Sequence, residues 1–313
     1  MKPPGGGIGS DFYIASYLRP PGLVVVPAVM ELLGDVLSGL SALSFSSASA
    51  LYRSAMRGLR VNPFVASGLR AAPVLAFMLA IYPFLGTGLA KPPAFYLYVL
   101  ASTLLAFFAG DAAFLEGLSR APLSVVYPAA YTFSLFATLF AWAFLGEEAS
   151  PNVVAAALVV VAGVYLTYRG GGGGGDAYRG IAYGLAASVS WAGSILFAAA
   201  ALRMGNSVDV NTLRVAYLLL LSLPLVALEW RRGRLGGYRV GRLAAGGLLG
   251  IGVGPVLFFA GISLAGVARS SVIVSSTPVL TVLLARLALG EEVGGSVAAG
   301  AAAVALGTAL LYI

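Results

Sequence analysis

The sequence predicts an all-α integral membrane protein of about ten transmembrane helices, built as two inverted five-helix repeats around a central cavity. Three observations predict it. Hydrophobic residues make up 59% of the 313-residue chain and charged residues only 10%, where a soluble domain carries about 25% charged residues. Apolar runs of about 20 residues, long enough to cross a ~30 Å hydrocarbon core, recur along the chain. The second part of the chain also repeats the first at a shift of 144 residues.

The elements follow in order. Residues 1–29 form an N-terminal extension without the pattern of a signal peptide: Lys2 is followed by Pro and Gly, and the apolar stretch at Val24–Val26 is short. The organised pattern starts near Met30. Spans are predicted at 35–56, 64–86, 94–118, 122–146 and 152–168, then at 178–202, 211–229, 243–264, 268–289 and 295–313. These runs are too long and continuous for the ~10-residue alternation of barrel strands. Between the two sets stand six consecutive glycines, Gly170–Gly175, flanked by Arg169 and Asp176. Such a run reads as a flexible linker, 170–176, joining a first repeat, 30–169, to a second, 177–313.

Without a gap, Gly110–Tyr168 aligns on Gly254–Tyr312, with about 18 of 59 positions identical. The longest identical run is Leu145-Gly146-Glu147-Glu148 against Leu289-Gly290-Glu291-Glu292. Earlier parts match more loosely, Ser44-Phe45 with Ser190-Trp191 and Leu69-Arg70 with Leu213-Arg214. Five is an odd number of crossings, so the second repeat starts from the opposite side of the membrane and the halves are inverted copies. Inverted repeats typify secondary transporters, which alternate access to a midplane site.

Composition excludes several chemistries. Cysteine and histidine are absent, which removes disulfides, thiol chemistry and imidazole-based triads or metal sites. No cofactor is expected. The only lysines are Lys2 and Lys91, and Pro92 follows Lys91, so a nucleotide-cradling P-loop is missing. The net charge of +7 is densest at Arg231, Arg232, Arg234, Arg239 and Arg242. Set in a chain of apolar runs, this group suits anionic lipid headgroups rather than nucleic acid. The expected partners are a small-molecule substrate and membrane lipids, with protons or a counter-substrate as coupling species. Oligomeric state is not legible.

Polar groups at bilayer depth are the candidate site, because an Asp at a helix centre costs about 2.5–3.5 kcal/mol on insertion scales. Tyr127, Tyr131, Ser134 and Thr138 are spaced 4, 3 and 4 apart, one helical face. The first three correspond by repeat to Ser271, Ser275 and Pro278. A polar stripe in register in both halves predicts a shared cavity lining; hydroxyls bonding to backbone between helices are the alternative. Asp111 lies inside the third span, and its repeat partner is Pro255. It reads either as a cavity carboxylate for a cationic group or proton, or as the partner of Arg53 or Arg70. Ser44, Ser47, Ser190 and Ser194 sit at helical spacings, with Trp191 available to stack on a substrate. Glu147, Glu148, Glu291 and Glu292 fall where one span ends and the next begins, and there a structural or gating role near a helix N-terminus is expected. Gly246, Gly250 and Gly254 form a small-residue ladder for close helix packing.

Taken together, Ser190-Trp191-Ala192 in the first span of a half, Arg70 and Arg214 opening the second, a Pro-containing fourth span ending in Leu-Gly-Glu-Glu, and a small-residue fifth span with Gly163 or Gly307 make the chain resemble the drug/metabolite transporter superfamily, in its EamA-type branch. The fourth-span Pro of that pattern is Pro278 in the second half; the first half has Ser134 there and Pro128 six residues earlier. The resemblance implies ten helices, a central cavity between two halves, and movement of small organic solutes across the cytoplasmic membrane. It also implies cytoplasmic termini, whereas the positive-inside rule applied to the arginines places them outside. The readings set against a carrier are a non-transporting membrane module, and a membrane enzyme, which needs a convergent polar cluster usually containing His or Cys.

Overall fold

The computed structural model describes residues 27–58, 62–88, 90–133, 135–136, 139–140, 143, 152–172, 174–265, 273–274 and 276–310. Among them every regular element is helical. We label these α1 (Pro27–Met56), α2 (Pro63–Leu85), α3 (Pro93–Arg120), α4 (Leu123–Ala130), α5 (Val153–Gly170), α6 (Gly175–Leu202), α7 (Ser207–Arg231), α8 (240–265), α9 (Thr277–Leu289) and α10 (Gly295–Ala309). A helix stands at each of the ten predicted positions. α1, α2, α3, α6, α7 and the first part of α8 are long and apolar enough to cross a bilayer; α5, α9 and α10 are shorter apolar helices. The boundaries differ locally: α1 starts at Pro27, eight residues ahead of its predicted span, while residues 1–26 of the extension lie outside the described residues.

Each helix divides by the helical period into a lipid face and a packed face. On α5, Val154, Leu158, Val161 and Tyr165 are 57–69% exposed, an outward-facing apolar stripe spaced 4, 3 and 4 that suits the hydrocarbon of a bilayer. The opposite stripe, Ala156, Val160, Gly163 and Thr167, faces α10. Ends are held by local chemistry. Asn62 accepts a hydrogen bond from the Phe64 N–H with Pro63 in the first turn of α2, and Asn206 and Asp209 form a reciprocal capping box at the start of α7.

The most extensive packings join elements of opposite halves, and they do so reciprocally. α1 packs on α8 and α9; their repeat counterparts do the same, α6 on α3 and α4. α2 pairs with its own counterpart α7, and α5 with α10. The reciprocity extends to individual contacts, read from where a Cβ added to each glycine would fall. At Gly110 it would lie 2.5 Å from the Trp191 ring; at the related Gly254, 2.6 Å from the related Phe45 ring. At Gly163 it would meet Gly300 and Val304, and at Gly307 it would meet Ala156 and Val160, the repeat equivalents of those two residues. Only a twofold relation between the halves makes such pairs recur. Two groups result, α1–α8–α9 and α3–α4–α6, and each mixes both repeats.

The glycine connection is shorter and better packed than its composition suggests. Helix runs to Gly170 and resumes at Gly175, so only 171–174 join the halves. A Cβ at Gly170 would approach Val297 N to 2.7 Å, and one at Gly171 would approach Val125 Cγ2 equally closely. These glycines are there for close approach as well as for freedom, and Gly172 adopts φ +91°.

Candidate functional site

The helices are irregular at matched places. Leu104–Asp111 in α3 and Leu248–Val253 in α8 wind as π-helix, starting at the repeat-related Leu104 and Leu248. π-turns displace carbonyls from the regular ladder and mark functional sites in many proteins. Side chains of other helices take those carbonyls up. Trp191 Nε1 donates to Ala106 O at 3.1 Å, Ser44 Oγ to Leu249 O at 2.9 Å, and Asn211 Nδ2 to Ile251 O at 3.0 Å. Ser194 Oγ donates to Ser102 O at 2.9 Å. Ser44, Trp191 and Ser194 therefore each serve the backbone, while Ser47 and Ser190 are half-buried.

The fourth and ninth spans are both interrupted near the same register. α4 ends at Ala130, and residues 131–132 form a turn; α9 begins at Thr277 after a turn residue, Ser276, the repeat partner of Thr132. Pro128 lies inside α4, whereas Pro278 is in the first turn of α9, where its missing N–H disturbs nothing within that helix. It does leave Val274 O without the usual i+4 donor. Tyr131 supplies one from the other half, its hydroxyl 2.7 Å from Val274 O and 3.1 Å from Thr277 Oγ1. Of the predicted polar face, Tyr127 and Tyr131 are buried, and in this conformation Tyr131 is closed against α9 rather than open to water; Thr138 lies outside the described residues. Tyr127 points between α1 and α9, beside Ser49 and Thr281.

Around these tyrosines five aromatic rings form a closed circuit. Phe114 contacts Tyr127 (centroids 6.0 Å apart), Tyr127 stacks on Tyr131 (5.5 Å), Tyr131 meets Phe133 (5.3 Å), Phe133 meets Trp191 (6.5 Å), and Trp191 returns to Phe114 (5.4 Å). Most of these contacts are edge-on or tilted, the geometry that aromatic quadrupoles favour. Trp191 reaches the circuit because Gly110 leaves room for its indole.

On its other edge Trp191 meets charge. Its Nε1 donates to Asp111 Oδ1 at 2.8 Å, and Asp111 Oδ2 is paired with Arg70. Both partners are buried, and the Arg70 guanidinium stacks 4.8 Å above the Tyr52 ring. Of the two roles weighed for Asp111, the structure gives it the arginine partner, Arg70. Arg214, the repeat counterpart of Arg70, lies over the Phe107 ring at 5.1 Å, 3.4 Å from Ser194 Oγ.

Glu291 closes one membrane face. It sits just past α9, but instead of capping α10 its carboxylate accepts from the Leu123 N–H (2.9 Å), the Ser124 N–H (3.1 Å) and Ser124 Oγ (2.9 Å), capping α4 in the first half. Arg53 Nε adds an ion pair at 3.3 Å, and Arg53 also donates to Leu118 O. A carboxylate at a helix N-terminus is favoured by the exposed N–H groups and the dipole; here the helix it caps comes from the opposite repeat. Glu292 is exposed. Ser134, Ser271, Ser275, Glu147 and Glu148 lie outside the described residues. On the same face Arg239 and Arg242 of the basic group both donate to Ser54 O, tying the α7–α8 connection to the end of α1.

Sequence reasoning missed Phe114, Phe133, Tyr52 and Ser124 as parts of this arrangement. Phe114 carried a signal, its identity with Phe258 across the repeat; the others did not. Two cavities lie to the sides of the centre. One of about 340 Å³ is lined by Thr132, Phe136, Val160, Tyr165 and Tyr178, and one of about 150 Å³ is lined by Tyr82, Lys91, Phe95, Asp209 and Thr212.

Comparison with known proteins agrees with this architecture. A model of the EamA-like transporter family matches residues 32–169 and again 178–313. An uncharacterized transporter of Archaeoglobus fulgidus is 34% identical over 100 residues, which are 32% of this chain. The chain spans about a third (35%) of the length of that curated relative. A crystal structure of a protein 22% identical superposes with a TM-score of 0.54 over 88% of this chain and 94% of the other, a likeness of fold. This multi-pass membrane protein belongs to the EamA-like transporter family.

Proposed function

We propose that the protein is a secondary carrier that moves a small organic solute across the cytoplasmic membrane by alternating access. The observation that carries this reading is the meeting of two interrupted spans, α4 and α9, at the seam between α1–α8–α9 and α3–α4–α6, with an aromatic circuit on the α3–α4–α6 side and a buried α2–α3 ion pair behind it. Broken helices meeting near the midplane are where secondary transporters hold their substrates. The groups that move against each other are these mixed bundles, because every strong packing joins the two repeats and neither repeat stands alone.

In this reading the face of Tyr127, Tyr131, Ser134, Ser271 and Ser275, with Trp191, contacts the solute. The Arg70–Asp111 pair positions Trp191. Glu291 is the latch of one face, and Glu147, its equivalent in the sequence repeat, is the candidate for the other. Opening breaks the Glu291 contacts to Leu123 and Ser124 and the Tyr131 bond to Val274, so the moving seam runs between α4 and α9. The driving force is a counter-solute or proton gradient.

Reconstituted proteoliposomes test the reading. Uptake is measured for a panel of labelled amino acids, organic acids, nucleosides, sugars and aromatic amines. Saturable uptake of one class, trans-stimulated by the same solute inside, is expected; equal leak of every class in loaded and empty liposomes contradicts it.

A further inference from the structure

Arg70 and Arg214 occupy the same place in the two halves, each the eighth residue of its helix, about 10 Å in from the N-terminal end at 1.5 Å per residue. Their surroundings differ in one respect. Arg70 has a carboxylate, Asp111. The repeat position of Asp111 is Pro255, and among the described residues no acidic group pairs with Arg214. Arg214 is held by weaker contacts, Ser194 Oγ at 3.4 Å and the face of Phe107, and its Nε has no hydrogen-bond partner. Asp111 is near enough for its field to reach Arg214, but both its oxygens are already engaged by Arg70 and Trp191.

The sum of these three charges is +1, at a depth where an uncompensated cation is costly. A guanidinium with free N–H donors is suited to the paired oxygens of a carboxylate. One surplus positive charge also matches a monoanion better than a dianionic phosphate. Beside it stand flat apolar surfaces: Phe107 beneath Arg214, and Trp191, which bonds to Ala106 O and opens on the aromatic circuit.

We propose that Arg214 is the anion-binding residue of this carrier, and that its solute is an organic monocarboxylate with a planar apolar body. The proposal rests on the carrier reading and refines it to a substrate class. It runs against the alternative reading of Asp111 as a free anionic site for a cationic solute.

Three probes share one ring and differ in charge: benzoate, benzyl alcohol and benzyltrimethylammonium. In purified protein carrying Trp142→Phe and Trp230→Phe, the remaining tryptophan, Trp191, reports binding by its fluorescence. Benzoate is expected to perturb it saturably, with the other two at least tenfold weaker. Arg214→Gln should weaken benzoate at least tenfold. Arg214→Lys, which keeps the charge but loses the fork, should weaken it less. In the absence of ligand Arg214→Gln should melt no lower than the parent, since it removes a half-buried charge that has no carboxylate partner, whereas Arg70→Gln should melt lower. Equal or tighter binding of the quaternary ammonium, or benzoate binding unchanged in folded Arg214→Gln, overturns the proposal. If Arg214→Gln does not fold, unchanged benzoate affinity in Arg214→Lys overturns it. Failure of the carrier reading looks different: benzoate binds through Arg214, but no solute crosses proteoliposomes. A flux panel that selects neutral or cationic solutes leaves the carrier and removes the anion site.

Discussion

Glu291→Gln is the perturbation with the sharpest consequence. In the structure the carboxylate takes two backbone N–H groups, one hydroxyl and one guanidinium N–H across the junction of the repeats. Glutamine keeps one accepting oxygen but turns an NH2 group toward donors, so about half of those contacts are lost together with the charge. Net contributions of about 1.5–3 kcal/mol per hydrogen bond to a charged group give a loss of about 3–6 kcal/mol from the closed face. A shift of about 5.5 kcal/mol carries a two-state equilibrium from 1:99 to 99:1, so the change is large enough to open a closed gate. The chain contains no cysteine, and Ser49→Cys supplies a reporter. Ser49 is 4% exposed and lies beside Tyr127, just inside the seal. Its hydroxyl donates to Phe45 O in its own helix. An impermeant maleimide should label this cysteine at least tenfold faster in the Glu291→Gln background. Vesicles of the two orientations should show the gain from the Glu291 face alone. A lower melting temperature with labelling unchanged in both orientations refutes the latch and leaves Glu291 as a structural cap.

The remaining predictions concern the interior. Asp111→Asn leaves Arg70 buried without a countercharge, a change of about 3–5 kcal/mol; the double variant with Arg70→Gln should lose less than the sum of the singles in denaturation, a coupling that independent sites do not show. If Asp111 positions rather than titrates, any pH dependence of solute flux survives in Asp111→Asn, and its loss assigns the proton to Asp111. Tyr131→Phe removes one of two side-chain donors to the carbonyl that Pro278 leaves free, Thr277 Oγ1 being the other, and should cost about 0.5–1.5 kcal/mol, measured as a lower melting temperature. Gly110→Ala and Gly254→Ala each drive a methyl into an aromatic ring and should destabilise by about 1–3 kcal/mol alike. Only Gly110→Ala should shift the tryptophan emission, because Trp191 is its neighbour and Phe45 is the neighbour of Gly254.

The architecture was legible because it rests on bulk properties and on duplication. A bilayer demands long apolar helices, and the ungapped 144-residue register carried the twofold relation that Gly163 and Gly307 show atom by atom. The looser pairing of Ser44-Phe45 with Ser190-Trp191 proved physical as well, since Phe45 and Trp191 fill matched notches over Gly254 and Gly110. What sequence could not give was which side chains meet. Ser44 and Ser194 have the spacing of a lining face, yet their hydroxyls go to carbonyls beside the π-turns, and nothing in a sequence announces a π-turn. Glu291 was expected at a helix N-terminus; that the helix is α4 of the other repeat follows only from the fold. Asp111 offered two partners on paper, and the packing of α2 on α3 decided for Arg70. The ladder of Gly246, Gly250 and Gly254, expected to pack closely on a helix, does so on α1, and its notches hold the Tyr52 and Phe45 rings.

The most direct test of the whole account locks the seam between α4 and α9. Cysteines replacing Ser124 and Glu291, whose side chains touch in the closed state, can be bridged by a short bifunctional thiosulfonate and released by reductant. The measurement is uptake of whichever solute the native chain carries, in the same proteoliposomes before bridging, after it, and after release. The account predicts that bridging abolishes uptake and that reduction restores it. Undiminished uptake with the bridge complete contradicts it, for the two mixed bundles would then pass solute without parting.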